Sequence, residues 1–316
     1  YCWARAYFFE RQDWWYVLGF VFLAAGTMFK AVHALLLPCL VFLVLSWWKQ
    51  DWCIFRRWAF YLGFVVFLSM VVPYYWALGP EFLENFFLKE SLDRVLFEPT
   101  VGNQPFFYYF LVMWFDFFPW SVLLPSMLVL LWSARLSSEN SKELFLLAWI
   151  LTYFVAFSFA SGKTERYLLP VVPPIGLALG FFYQSILVDG KQKIPCESLL
   201  KVLLGSLCVL IVLGLIAGPL ILEAKMGVPI EVLPLFYTMG MIILSGWLFW
   251  QVISARIKTA LNGLGIVAVT WMLGILGFLL PGLDAAASPR TMFQKVKALL
   301  PDPSEPIRAF QHWNWR

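Results

Sequence analysis

Ser161-Gly162-Lys163-Thr164 reproduces the last four positions of the nucleotide-binding P-loop, in which backbone N–H groups and a lysine cradle phosphate. The full pattern requires a glycine five positions before Gly162, and Phe157 stands there, inside the apolar run 146–160. A P-loop also follows a strand and opens a helix whose N-terminus faces the anion. Here the motif lies between two apolar segments of membrane-spanning length. ATP is therefore not the expected partner, and Lys163 is read as a cation serving a different anion.

Three polar stretches, this one included, carry ionisable residues against the ends of apolar runs. The first is FKAVH at 29–33, where Lys30 and His33 stand three apart and so share a helix face. The second is ENFFLKESLDRVLFE at 84–98, with Glu90, Asp93 and Arg94, followed by PTVGNQPFFYY up to Tyr109. The third is SGKTERY at 161–167, with Lys163, Glu165, Arg166 and Tyr167. Each has a plain structural explanation: a snorkelling lysine, an interfacial amphipathic helix and a polar turn.

Together they are more specific. Gathering Lys30, Arg94, Lys163 and Arg166 at one membrane face creates an anion site, and phosphate suits both guanidinium forks and lysine point charges. At a bilayer surface the abundant phosphate-bearing partners are membrane lipids. Glu90, Asp93 and Glu165 either orient those bases, hold a divalent metal or offset the charge. No Ser-His-Asp spacing or His-rich metal motif is present, the only histidines being His33 and His312. No basic stripe interleaved with aromatics suggests nucleic acid.

The elements that must position these groups follow from composition. The 316 residues are 61% hydrophobic and only 13% charged, about half the charge of an average soluble domain. The charges cluster between apolar runs, and strand-type alternation is absent, which together predict an all-α polytopic membrane protein. Runs long enough to span fall near 15–29, 31–48, 58–78, 106–132, 143–160, 167–187, 199–222, 232–253 and 260–281, about nine in all.

Lys and Arg set the orientation. One alternating set of connections holds twelve: Arg5, Arg11, Lys49, Arg56, Arg57, Arg135, Lys142, Lys191, Lys193, Lys201, Arg256 and Lys258. The other holds six: Lys30, Lys89, Arg94, Lys163, Arg166 and Lys225. The positive-inside rule then puts the start of the chain in the cytoplasm and all three polar stretches outside. Cys2, Cys39, Cys53, Cys196 and Cys208 all avoid the outside connections, as expected of an exported face, and none pair as C-x-x-C.

The transmembrane domain is expected to cover 1–281, and the tail 282–316 to begin a small extracytoplasmic α/β domain. There Ser288-Pro289 is a helix start, and Met292, Phe293, Val296, Leu299 and Leu300 recur at helical spacing. The chain starts at Tyr1 and stops at QHWNWR, and both ends read as cut from a longer protein.

FSFASGKTERYLLP, with Pro173-Pro174 after it, resembles a segment of bacterial GT-C fold glycosyltransferases, the aminoarabinose transferase and protein O-mannosyltransferase-like family. Two more regions are similar to that family in the same order. They are GTMFK, ending at Lys30, and the run from Glu90 and Arg94 through Pro105, Tyr108 and Tyr109 to Pro119-Trp120. The resemblance implies transfer of a sugar from a polyprenyl-phosphate donor to a lipid (lipid A-like) or protein acceptor, at the outer face of the bacterial cytoplasmic membrane. It also implies that Lys30, Arg94 and Tyr167 contact the donor phosphate, with Lys163 and Arg166 beside them. His33, Glu90, Glu165 and Tyr109 would support them.

The family's glycine after the lysine is Ala31 here, and its loop histidines are replaced at Ser91 and around Asn103-Gln104. These changes bear on a loop metal and on the acceptor. The family's catalytic aspartate is expected upstream of residue 1. The competing function is a transporter or flippase for a lipid-linked or anionic substrate, for which intramembrane charges mark a path. Transporters place such charges near mid-span in repeated halves; here they gather at one face without a repeat.

Overall fold

A computed structural model describes residues 1–10, 12–30, 33–79, 104–134, 141–160, 163–188, 194, 196–226 and 234–281. Among these residues every regular element is helical, so the all-α class holds. The order is α1 (Cys2–Arg5), α2 (Trp14–Lys30), α3 (His33–Lys49), α4 (Cys53–Arg56), α5 (Trp58–Leu78), α6 (Tyr108–Asp116) and α7 (Leu124–Ala134). After these come α8 (Ser141–Phe159), α9 (Val172–Tyr183), α10 (Glu197–Met226), α11 (Leu235–Ile253) and α12 (Ile257–Gly274). The chain packs as two units, Tyr1–Leu200 and Lys201–Arg316. The stretch 80–103 and the tail 282–316, where a soluble α/β domain was expected to begin, lie outside the described residues.

Six of the described helices are long and apolar enough to cross a membrane, and the broken pair around residue 117 makes a seventh if counted as one span. Two more apolar helices, Trp14–Phe29 and Ala34–Lys49, are shorter. The expectation of about nine spans counts those two as well. The chain is a multi-pass membrane protein.

Helix α5 shows how these helices divide their surfaces. Ala59, Gly63, Phe67, Val71 and Tyr75 recur at every fourth residue and are all buried. The intervening Trp58, Tyr61, Val65, Val72 and Trp76 are exposed apolar side chains. A helix apolar all round, with one face packed and the other bare, suits hydrocarbon rather than water as its solvent. The packed stripe lies on α2, where the Phe20 ring meets Phe60, Phe64 and Phe67 at centroid distances of 5.0, 6.0 and 6.4 Å. Gly63 is what lets the two backbones approach, since a β-carbon there would run into the Phe20 ring and the Val17 backbone.

A polar tie completes this pair. The Tyr75 hydroxyl donates to the Thr27 carbonyl at 2.9 Å, buried between the helices. Thr27 lies in the last turn of α2, where carbonyls lack helical partners. A protein donor thus satisfies one of them where water cannot reach.

The expected single span at 106–132 is not straight. Helix α6 ends at Asp116, and the chain turns by 116° before Trp120–Ser133 continues. Phe117, Phe118 and Pro119 make the turn, with a cis bond before Pro119. Proline has no N–H to offer a continuing helix, so residue type permits a break here. Average hydropathy does not register the turn, because every residue but Asp116 around the corner is apolar or aromatic.

Between α3 and α5 the polar groups are tied together. Tyr7 Oη donates to Asp51 Oδ2 at 2.9 Å, and the Cys53 N–H donates to Asp51 Oδ1 at 3.0 Å. Burial pushes the Asp51 carboxyl up, but those hydrogen bonds and Lys49 outweigh it and hold the group below the usual carboxylate range. Arg57 pairs with Asp13 at 2.8 Å, each about a third exposed, so screening leaves the pair a small contribution.

In the second unit, α11 and α12 pack through glycines in the same manner as α2 and α5. Gly263 lies under the Trp247 ring and Gly274 under the Tyr237 ring. The Tyr237 hydroxyl donates to the Thr270 carbonyl at 3.1 Å.

Candidate functional site

The polar turn after α8 is built from both sides. Helix α8 runs from Ser141 to Phe159, and the chain re-enters helical geometry as a 3₁₀ turn, Glu165–Val171, before α9. Pro170 sits inside that turn, and Pro173-Pro174 stand in the first turn of α9, where proline's fixed φ suits a helix start. Thr164 is extended, with φ −134° and ψ 147°. The geometry differs from a P-loop, in which the lysine lies over the N-terminus of a following α-helix.

Lys163 is buried, with 7% of its surface exposed. Its ammonium donates to the Ala160 carbonyl at 2.9 Å and reaches the Gln104 carbonyl at 3.4 Å. Ala160 follows directly on the last residue of α8, where unpaired carbonyls and the negative end of the helix dipole favour a cation. Gln104 is the first described residue after the stretch 80–103.

Tyr109 closes the turn from α6. It is fully buried, and its hydroxyl donates to the Thr164 carbonyl and accepts from the Thr164 N–H, both at 3.1 Å. One phenol therefore satisfies both backbone groups of an extended residue, as a neighbouring strand would. The pair of hydrogen bonds keeps both backbone groups of the part-buried Thr164 paired.

These ties leave Arg166 and Glu165 exposed and Tyr167 half-buried. The Tyr167 ring stacks on Phe157 of α8, with centroids 5.1 Å apart and planes 17° from parallel. Phe157 in turn meets Tyr153 at 6.0 Å and Tyr109 at 6.4 Å. The stack fixes the ring plane of Tyr167, and so fixes where its hydroxyl lies. An exposed guanidinium and an oriented phenol on the same turn are donor types suited to a phosphate oxygen or another oxyanion.

Of the residues expected to form the site, the structure thus joins Lys163, Tyr109 and Tyr167 into one packed turn, with Glu165 and Arg166 on its surface. Lys30 ends α2 and His33 opens α3; their side chains lie outside the described residues, as do Glu90 and Arg94 entirely. Three participants were not expected from sequence: Phe157, the carbonyl of Gln104, and Asp116. Asp116 ends α6 within electrostatic reach of Glu165 and Tyr108. Its place in a presumed straight span hid it. Among the described residues no group of three or more His, Cys, Asp or Glu side chains is arranged to hold a metal.

No family model matches the chain. Over 285 residues, 88% of its length, it is 28% identical to the undecaprenyl phosphate-alpha-4-amino-4-deoxy-L-arabinose arabinosyl transferase 1 of Pseudomonas fluorescens, covering 48% of that protein. Against the corresponding transferase of Erwinia tasmaniensis it is 27% identical over 229 residues, 69% of the chain and 40% of the relative. Among solved structures it is similar to ArnT from Cupriavidus metallidurans bound to undecaprenyl phosphate, with a TM-score of 0.61 and 23% identity. That match covers 94% of the chain and 53% of ArnT. The resemblance read from the sequence is borne out, and the fold is that of these GT-C type transferases. The chain spans about half the length of the relatives it matches.

Proposed function

We propose that this chain is the donor-binding part of a glycosyltransferase. The enzyme moves a sugar from polyprenyl phosphate to a lipid or protein acceptor at the outer face of the bacterial cytoplasmic membrane. The observation that carries the reading is the turn at 163–167. It presents an exposed Arg166 and a Tyr167 whose ring is stacked on Phe157, in a chain that over 88% of its length is 28% identical to a protein named as an arabinosyl transferase.

In this reading the phosphate is the leaving group. As the glycosidic bond breaks, the phosphate gains negative charge, and cations already in place stabilise it without having to reorganise. Lys30, Arg94 and Tyr167 contact the phosphate, while Arg166 raises the local positive potential. Water exclusion at a membrane face strengthens each of these interactions relative to bulk solvent. Because the relatives carry aminoarabinose in their names, that sugar is the first donor to test, with lipid A-like glycolipid as the first acceptor.

The test is transfer by the full-length protein in proteoliposomes, with labelled sugar on undecaprenyl phosphate and either a lipid A or a peptide acceptor. Label should move to one acceptor class and free undecaprenyl phosphate should accumulate with it. Label that crosses the vesicle bilayer still attached to its lipid would instead identify a flippase.

The orientation belongs to the same proposal: the 161–166 turn and the tail face outward, and Cys53 and Cys196 face the cytoplasm. Cysteines introduced at Thr164 and Ser304 should react with an impermeant thiol reagent in intact spheroplasts, and Cys53 only after lysis. Labelling of Cys53 alone in intact spheroplasts would invert the topology.

A further inference from the structure

We infer that Lys163 is a positioning residue whose ammonium clamps two backbone segments together, rather than a cation that touches the donor phosphate. The inference rests on the donor-binding reading and gives one residue of that site a different task. Three observations carry it. Lys163 is buried, with 7% of its surface exposed. Its two hydrogen bonds go to carbonyls of residues 160 and 104, on separate segments of the chain. Tyr109 holds the next residue, Thr164, through both its backbone groups.

The physical logic is that a buried ammonium is costly unless its protons find acceptors. Here the acceptors are the carbonyl end of α8 and the carbonyl of Gln104. The carbonyl end of a helix is one of the few uncharged environments that favour a cation. Removing the ammonium would leave those carbonyls without this donor in a site sheltered from water. Of the hydrogen bonds described between the path from Gln104 to Tyr109 and the path from Ala160 to Tyr167, only those of Tyr109 would then remain. Arg166 and Tyr167 lie three and four residues beyond Lys163, so the clamp sets the position from which they meet the donor.

The two roles separate by chemistry. A clamp needs N–H donors at the right place; a phosphate contact needs positive charge. Lys163→Gln keeps N–H donors and loses charge, whereas Lys163→Met keeps the volume and loses both. Amide hydrogen exchange of the full-length protein in detergent reads the clamp without any assay of activity. Lys163→Met should raise exchange in 104–109 and 160–167 together, and Lys163→Gln should leave both near wild type. Unchanged exchange in Lys163→Met would overturn the clamp.

Transfer assays then read its consequence. Lys163→Met should lower transfer about tenfold, the scale of one or two lost buried hydrogen bonds, and Lys163→Gln should retain most activity. Combined with Tyr167→Phe, Lys163→Met should add little further loss, because a residue acting through Tyr167 has nothing left to position. Equal failure of Gln and Met, with losses multiplying in the double variant, would assign Lys163 to direct phosphate contact. If the wild type transfers no sugar while exchange responds as stated, the glycosyltransferase reading fails and the clamp stands.

Discussion

On the proposed reading, Lys30→Ala, Arg94→Ala and Tyr167→Phe should each reduce sugar transfer by the full-length protein roughly ten- to a hundredfold, the range set by losing one charge-assisted hydrogen bond of about 1.5–3 kcal/mol. The loss belongs in the transition state, because the leaving phosphate carries more negative charge there than in the bound donor. It should therefore appear mainly in kcat, with a smaller change in KM for the donor. Tyr167→Phe is the most pointed of the three. The ring and its stack on Phe157 survive, so only the hydroxyl is removed. The measurement is initial transfer rate at saturating acceptor and varied donor, with membrane insertion checked for each variant. Wild-type turnover in all three would remove the phosphate assignment.

Gly63→Val disrupts the packing of α5 on α2 and lowers the thermal transition of the detergent-solubilised protein by several degrees or more. The new side chain must enter space held by the Phe20 ring and, beside it, the backbone of Val17. The ring can turn aside, but the backbone cannot move without separating the helices. Overpacking of this kind costs about 1–3 kcal/mol, and loss of the approach also endangers the Tyr75–Thr27 hydrogen bond between the same helices. Phe20→Leu in the same chain should restore part of the loss by vacating the ring's volume. Gly180→Ala is the matched control: a β-carbon there meets open space, so the substitution should be neutral or mildly stabilising. A Gly63→Val protein that melts with the wild type would mean that α2 and α5 do not approach as described.

Much of this architecture is legible in the sequence because it depends on composition. Where charges stop, apolar helices begin, and the helix Trp58–Leu78 coincides with the apolar run at 58–78. Hydropathy carries no direction, however. It reads 106–132 as one span although Phe117-Phe118-Pro119 turns the chain, and proline marks only that a break is permitted. The turn at 161–167 is recognisable from its residue types. The direction of the Lys163 side chain is not, because a lysine stem can reach either outward to solvent or back along its own helix. Tyr109 meets Thr164 across 55 residues and Tyr75 meets Thr27 across 48, and no local pattern encodes contacts at such separations.

The ties to Lys163, Tyr109 and Tyr75 share one property: in each, the partner is main chain rather than side chain. Main-chain atoms are the same in every amino acid, so the hydrogen bond itself does not depend on which residue stands at positions 104, 160 and 27. Position 164 is almost as free, with proline alone forbidden because it lacks the N–H that Tyr109 receives. Only one member of each pair must keep its own side chain for the hydrogen bond to form. Methods that infer proximity from correlated substitution need two columns that change together, and these contacts supply one. They are structurally decisive and genealogically silent.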